Sequence, residues 1–206
     1  GPGGLSAAIA SARCGVKTTL LERFGCFGGN ITVVGVEGFA WYRHEKTVEA
    51  GGIGREFEEL AKEMGAAVPE SQSLSYELDS EGFKLVADKL VMDSGIHPML
   101  HRSFSMPIME GNTITGVIVE SKAGREAILS KVVIDATGDA DVAFRAGAQL
   151  NTMPVEELMA TSVMFHLAGV DKKAFLSEIQ NNPQSYKDWS DSCLLYTSPS
   201  PRDYPG

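Results

Sequence analysis

The chain is poor in cysteine and in positive charge, and it has no long apolar run. Three Cys in 206 residues do not make a disulfide framework, so a reducing, cytoplasmic setting is the expectation. Lys and Arg number 18 against 27 Asp and Glu, a net charge of −9 at neutral pH. That balance argues against a nucleic-acid partner, because phosphate recognition needs a basic face. It equally opposes adsorption to an anionic membrane surface. No apolar run approaches the roughly 18 residues of a spanning helix, and the N-terminus lacks the basic stretch and apolar core of a signal peptide. A Walker loop and a G-x-S-x-G elbow are both missing, so neither a P-loop nor a serine-hydrolase reading has support. The four His (His44, His97, His101 and His166) show no metal-ligand spacing, although His44-Glu45 starts like H-E-x-x-H. No metal site is expected.

What is present is an ordinary globular composition, 43% apolar and 22% charged, at a length that suits one domain or slightly more. Both ends are unusual. The chain opens on Gly1-Pro2-Gly3-Gly4, a kind of segment that normally follows a β-strand, so the numbering is expected to begin inside a motif. From Cys193 the sequence CLLYTSPSPRDYPG has neither helical nor strand periodicity. It resembles the translated read-through of a transposase-type sequencing adapter, and residues 193–206 are expected to be non-native.

Between the ends the pattern alternates. Leu5 to Cys14 is small and apolar, stops at Gly15, and reads as a tightly packed helix, with Cys14 in the core. Val16 to Leu21 reads as a short strand ending in Glu22. Phe24 to Gly38 is Gly-rich and reads as loop. Ile53, Phe57, Leu60, Ala61 and Met64 fall at helical spacing, with Glu56, Glu58 and Glu59 as the solvated face. Phe83, Val86, Ala87, Leu90 and Val91 give a second amphipathic helix, capped by Asp79 or Ser80. Strands follow: Ile96 to Leu100, then a meander of Ser103–Met109, Thr113–Ser121 and Ala127–Lys131. Val132 to Asp135 reads as a buried strand running into Ala136-Thr137-Gly138-Asp139, and Asp141 to Ala146 as a short helix. Ser162 to Leu167 alternates like a strand, and Asp171 caps a final helix. Strand, helix, strand at the start means a parallel βαβ unit.

The opening carries the chemistry. In the dinucleotide fingerprint G-x-G-x-x-G a glycine turn opens a helix after a strand, and an acidic residue follows about 20 positions on. Gly1 and Gly4 match its second and third glycines, and Glu22 closes the next strand. Bare backbone at Gly1 lets a pyrophosphate approach, Gly4 lets helix and strand pack closely, and the helix N-terminus attracts the phosphate charge. The Glu22 carboxylate can accept hydrogen bonds from ribose hydroxyls. The bland alternative is an ordinary βα turn with a solvated Glu. Gly28-Gly29 offers side-chain-free backbone to a large cofactor, or is a simple turn. Ala136 to Asp139 brings amides and a carboxylate to the cofactor edge, or merely ends a strand.

The segments GPGGLSAAIASARCGVKTTLLERFGCFGGN, VVIDATGDADVAFRAGA and TSVMFHLAGVD together resemble the FAD-dependent oxidoreductase family of the glutathione-reductase-like flavoprotein superfamily. The resemblance runs over residues 1 to about 180. It implies an α/β fold: a Rossmann-like FAD-binding domain with a parallel sheet, a β-meander insertion and an incomplete substrate domain. The expected division is 1–34 and 76–150 for the FAD-binding domain, 35–75 for an excursion into the substrate domain, and 151–192 for the start of that domain. It implies a noncovalent FAD, with Gly1, Pro2, Gly3 and Gly4 at the pyrophosphate and Glu22 with the adjoining Arg23 at the adenosine ribose. Gly28 and Gly29 would lie near the ribityl-flavin half, and Ala136, Thr137, Gly138 and Asp139 would make the second FAD contact. Redox turnover of a small organic substrate is implied for the longer protein, with NAD(P)H or a protein as candidate electron partner. The stretch by itself is expected to be inactive.

No catalytic acid or base emerges. Cys14 and Cys26 do not form C-x-x-C, which leaves a dithiol centre unsupported. His44, in the cluster Trp41-Tyr42-Arg43-His44, is a candidate acid or base or an exposed loop residue. His166 reads as a solvent- or interface-facing strand residue. Two other readings stand: an NAD-binding Rossmann dehydrogenase, and a non-catalytic dinucleotide-binding electron-carrier subunit.

Overall fold

A computed structural model describes residues 1–39, 43–44, 47–48, 51–69, 75–158, 161, 163–165 and 167–182. The chain divides into two compact units, Gly1–Asn151 and Thr152–Gly206.

The first unit begins with helix α1, Pro2–Arg13. Pro at its first turn is tolerated because the missing N–H would have no partner there. Leu5, Ala8 and Ile9 form its buried stripe. Gly15 takes φ +80, the left-handed value that ends a helix at low cost. The Val16 N–H bonds back to Ser11 O at 3.2 Å. That bond keeps Val16 out of the sheet, so strand β1 is only Thr19–Leu21, shorter than its β-branched run. β1 lies parallel to β6 (His97–Met99), with Thr19 opposite His97 and Leu21 opposite Met99.

Between β1 and β6 come a π-helical turn at Asn30–Val34 inside the expected loop, a two-residue hairpin of β2 (Arg43–His44) and β3 (Thr47–Val48), and helix α2, Ile53–Glu63. Strands β4 (Ala67–Pro69) and β5 (Tyr76–Leu78) pair antiparallel. Helix α3, Ser80–Asp93, starts where the Asp79 side chain accepts the Glu81 N–H at 3.0 Å. The three helices share one core with Phe27, Ile31, Leu78 and Ile96. Phe83 sits at its centre, with ring centroids 5.9 Å from Phe39 and 5.8 Å from Phe57.

Two expectations for these helices are corrected. Cys14 is exposed, because it falls off the Leu5–Ala8–Ile9 stripe. Glu58 is fully buried, with Lys62 Nζ at 2.5 Å and Arg55 Nη1 at 3.3 Å from its Oε1. It neighbours the core residues Phe57 and Ala61, and the two cations offset the loss of water. Glu56 does face solvent and joins α2 to α1 through a bidentate bond to Arg13 at 2.8 and 2.7 Å.

The meander is β7 (Ser103–Glu110), β8 (Thr113–Ser121) and β9 (Gly124–Leu129). β9 starts three residues earlier than its apolar pattern, because Ser121 pairs directly with Gly124 across a two-residue turn. Val117 and Val119 of β8 form a second core with Val142 of helix α4, Asp141–Arg145.

Val132 to Asp135 is not the buried strand expected. Val132 is 75% and Ile134 58% exposed, while Val133 packs on the second core. The residues alternate as a strand would, yet no strand among the described residues bonds to them, and apolar content alone does not supply a neighbour. Asp135 instead builds the start of α4. Its Oδ1 accepts the Thr137 N–H (3.1 Å) and hydroxyl (2.7 Å), and its Oδ2 the N–H groups of Val142 (2.9 Å) and Ala143 (3.0 Å). Partial burial pushes this carboxyl up, but the hydrogen bonds from Ala143, Thr137 and Val142 outweigh it and hold it below the usual aspartate range.

In the second unit, helix α5 (Lys172–Asn181) is capped by Asp171, which accepts the N–H groups of Lys173 and Ala174 at 3.0 Å each. Of the expected strand at Ser162–Leu167, the described residues 163–165 and 167 are not in a strand. Its apolar residues Val163, Phe165 and Leu167 are exposed, and no partner strand among the described residues lies beside them. Ser162, His166 and the segment from Cys193 fall outside the described residues.

Two predictions test this packing by urea unfolding. Phe83→Ala should cost about 3–5 kcal/mol, whereas Leu176→Ala, at a residue 55% exposed on α5, should change stability by less than about 0.5 kcal/mol. Asp135→Asn should cost about 1 kcal/mol at neutral pH, as a lost cap does. A carboxyl held below its unfolded value stabilises above that value and loses its contribution as pH falls through the folded one. The gap between wild type and Asp135→Asn should therefore close below about pH 4.

Candidate functional site

The first turn of α1 is built without protein partners. Gly1, its N-cap, has no side chain to cap it, and no acidic residue stands in the first turn. The first helical bond is Leu5 N–H to Gly1 O at 3.0 Å. The N–H groups of Gly3 and Gly4 have no hydrogen-bond partner among the described residues, and Pro2 has none to offer. A Cβ placed on Gly1 or Gly3 would meet nothing within 4 Å, so bare backbone faces open space at the positive end of the helix dipole.

Three other segments come to this point. Glu22 directly follows β1, where its N–H bonds to Met99 O (3.0 Å) and its carbonyl accepts the Arg102 N–H (2.9 Å). Its side chain is buried. Oε1 accepts the Phe24 N–H at 3.1 Å, and Oε2 lies 3.4 Å from the Gly1 nitrogen. The Gly28-Gly29 turn is the second segment, with φ +118 and +60. A Cβ on Gly29 would stand 2.5 Å from Gly1 Cα, and one on Gly28 would strike the Thr32 side chain. Both the backbone angles and the spacing require glycine here. The third is Ala136, whose Cβ lies 3.3 Å from where a Cβ of Gly4 would be.

Gly1, Gly4, Glu22, Gly29 and Ala136 are thus brought together from four separate stretches. The other expected residues stand differently. The Arg23 guanidinium lies 4.6 Å over the Phe24 ring and lines a cavity of about 620 Å³ with His101, Arg102 and Lys122. The Thr137 hydroxyl donates to Asp135 at 2.7 Å and accepts the Asp141 N–H at 2.9 Å. Gly138 has φ +104 with open space around it, and Asp139 is exposed.

Two features are not marked by the apolar pattern. That pattern makes Asp135 only the end of a strand, although Asp-x-Thr before a helix is a local capping signal. His101 takes φ +53 just past β6, and its ring closes on Gly25, where a Cβ would come within 2.8 Å of it. Nothing in the sequence marks that pair. Cys26 is half-buried, its Sγ 3.8 Å from Thr32 Oγ1. His44 lies in β2 opposite Thr47, and Trp41 and Tyr42 fall outside the described residues. Among the described residues, no group of three or more His, Cys, Asp or Glu is placed to hold a metal ion. No described helix is long and apolar enough to cross a membrane.

Known proteins share both sequence and fold with this chain. Thiamine thiazole synthase of Metallosphaera sedula is 33% identical over 153 residues, 69% of this chain and 53% of its own. The protein of the same name from Saccharolobus solfataricus is 31% identical over 153 residues, 69% of this chain and 54% of its own. The chain spans about half the length of the curated relatives it matches. Among solved structures, THI4 of Thermovibrio ammonificans has a TM-score of 0.50 at 19% identity, over 70% of this chain and 57% of that one. A geranylgeranyl bacteriochlorophyll reductase-like protein of Thermoplasma acidophilum has a TM-score of 0.50 at 16% identity, over 72% of this chain and 40% of that one. These likenesses show a shared Rossmann-like α/β fold. The profile of a family described as FAD dependent oxidoreductase matches residues 1–203, and the chain belongs to that family, whose cofactor is FAD.

Proposed function

We propose that this chain forms the FAD-binding part of an enzyme that passes a hydride or electrons between flavin and a small organic substrate. The observation that carries the reading is the meeting of Gly1, Gly4, Glu22, Gly29 and Ala136 around an uncapped helix start. That arrangement fits FAD. The Gly3 and Gly4 amides and the helix dipole suit a pyrophosphate. Glu22 has one carboxylate oxygen fixed by Phe24, which orients the side chain to accept hydrogen bonds from ribose hydroxyls. Its charge disfavours a nucleotide carrying a phosphate at that position. Gly28 and Gly29 offer backbone toward the ribityl-flavin half, and Ala136 to Asp139 make the second contact, with Pro2 and Arg23 flanking. When bound, the flavin supplies the redox chemistry, and the protein supplies position and electrostatics.

In this reading the substrate domain takes 35–75 and starts again over 151–192, with NAD(P)H or a protein as electron partner. A second reading follows from the sequence likeness to thiamine thiazole synthases: in the whole protein the same site serves synthesis of a thiazole. Restoration of growth to a thiazole-requiring strain would favour that reading.

The test is a visible spectrum of the chain after incubation with FAD and removal of unbound flavin by gel filtration. Flavin bands should appear and bleach with reductant. Glu22→Ala should weaken FAD binding about tenfold or more, as expected for lost hydrogen bonds to a charged group. Gly29→Ala, which pushes a methyl group onto Gly1 at a left-handed backbone angle, should weaken it at least as much. A folded, colourless chain that gains no bands would overturn the reading.

A further inference from the structure

Four hydrogen bonds end on the Asp135 carboxylate, two on each oxygen. An ordinary cap stands next to the helix that it starts. Here that place belongs to Ala140, which has no polar side chain and takes φ +58, a setting uncommon for a residue with a Cβ. Asp135 acts from five positions earlier and encloses the turn between. The same carboxylate holds Thr137 at the middle of that turn and Val142 and Ala143 beyond it, while Thr137 in turn holds Asp141. At its other end the Ala136 Cβ stands 3.3 Å from where a Cβ of Gly4 would be, so the turn lies close against the bare face of α1. The free rim is Gly138 and Asp139. The amides of Asp141, Val142 and Ala143 are all taken by the protein, so the start of α4 offers an anion nothing.

We propose that Asp135 is a positioning residue of the cofactor site: by gathering Thr137 and the first amides of α4 onto one carboxylate, it sets the 136–139 backbone against Gly4 where FAD is received. The inference rests on the FAD-binding reading above. Asp135 itself touches no cofactor in this account. It acts through the turn, and the Thr137 hydroxyl serves Asp135 rather than a ligand.

The experiment uses the full chain as wild type, Asp135→Asn and Thr137→Val. Each is titrated with FAD by flavin fluorescence, and the visible circular dichroism of the bound flavin is recorded. Amide exchange of Val142 and Ala143 is followed without FAD. Asp135→Asn keeps the shape and loses half the acceptors. It should raise the FAD dissociation constant about tenfold, the scale of a lost hydrogen bond to a charged group, change the flavin dichroism and speed exchange at both amides. Thr137→Val frees the turn and leaves the bonds to Val142 and Ala143 in place. It should weaken FAD binding and alter the dichroism while both amides stay protected. If Asp135→Asn does not fold, Thr137→Val decides. Variants that bind FAD within twofold of wild type, with unchanged dichroism, would overturn the inference and leave FAD binding standing. A wild-type chain that takes up no FAD would overturn both.

Discussion

The site depends on how closely backbones approach one another at the first turn of α1. A side chain on Gly29 would run into Gly1, and one on Gly4 would press on Ala136. Because those atoms are missing, segments far apart in sequence reach the helix start without covering its amides. Glu22 occupies the flank at the Gly1 nitrogen and Pro2 contributes no N–H, so the donors left to an anion are those of Gly3 and Gly4. The helix dipole then acts on a short stretch of bare backbone, not on a side chain that can move away.

That opening is supported from behind by a continuous apolar core. Leu5, Ala8 and Ile9 fix the inner face of α1 against α2 and α3, with Phe83 between the Phe39 and Phe57 rings. Glu58 is a charged residue in this layer, held by Lys62 and Arg55. All three residues stand on α2, and burying an ion pair adds little net stability, so the triad makes the buried charge tolerable more than it strengthens the fold. The second core, under the meander, does the corresponding work for α4 and the 136–139 turn through Val142 and Val133.

Much of this was legible because it is local. Helical spacing and a nearby glycine or aspartate marked α2, α3 and α5 to within a residue or two and the end of α1, which starts three residues before its apolar pattern, and turn chemistry marked the meander. The glycines and Glu22 were legible as a fingerprint, since each meets a need of backbone geometry. What was not legible depends on neighbours. Val132 to Asp135 has the composition of a buried strand, but burial needs strands on both sides, and one sequence does not say which are there. Glu58 looks like its exposed neighbours Glu56 and Glu59 until the helix is set against its core. Asp135 bonds residues two to eight positions ahead, a pattern that appears only once the chain has turned back.

The pairing of β1 with β6 closes the longest loop of any strand pair among the described residues. Thr19 and His97 meet across nearly eighty residues, so the entropy of closing that loop must be met before the parallel pair returns anything. The meander pairs neighbours joined by two-residue turns and has no such barrier. Glu22, directly after β1, acquires its bonds to Met99 and Arg102 only when the long loop has closed. The Glu22 side of the α1 start therefore hangs on the strand contact with the largest loop to close, a cost the meander does not carry.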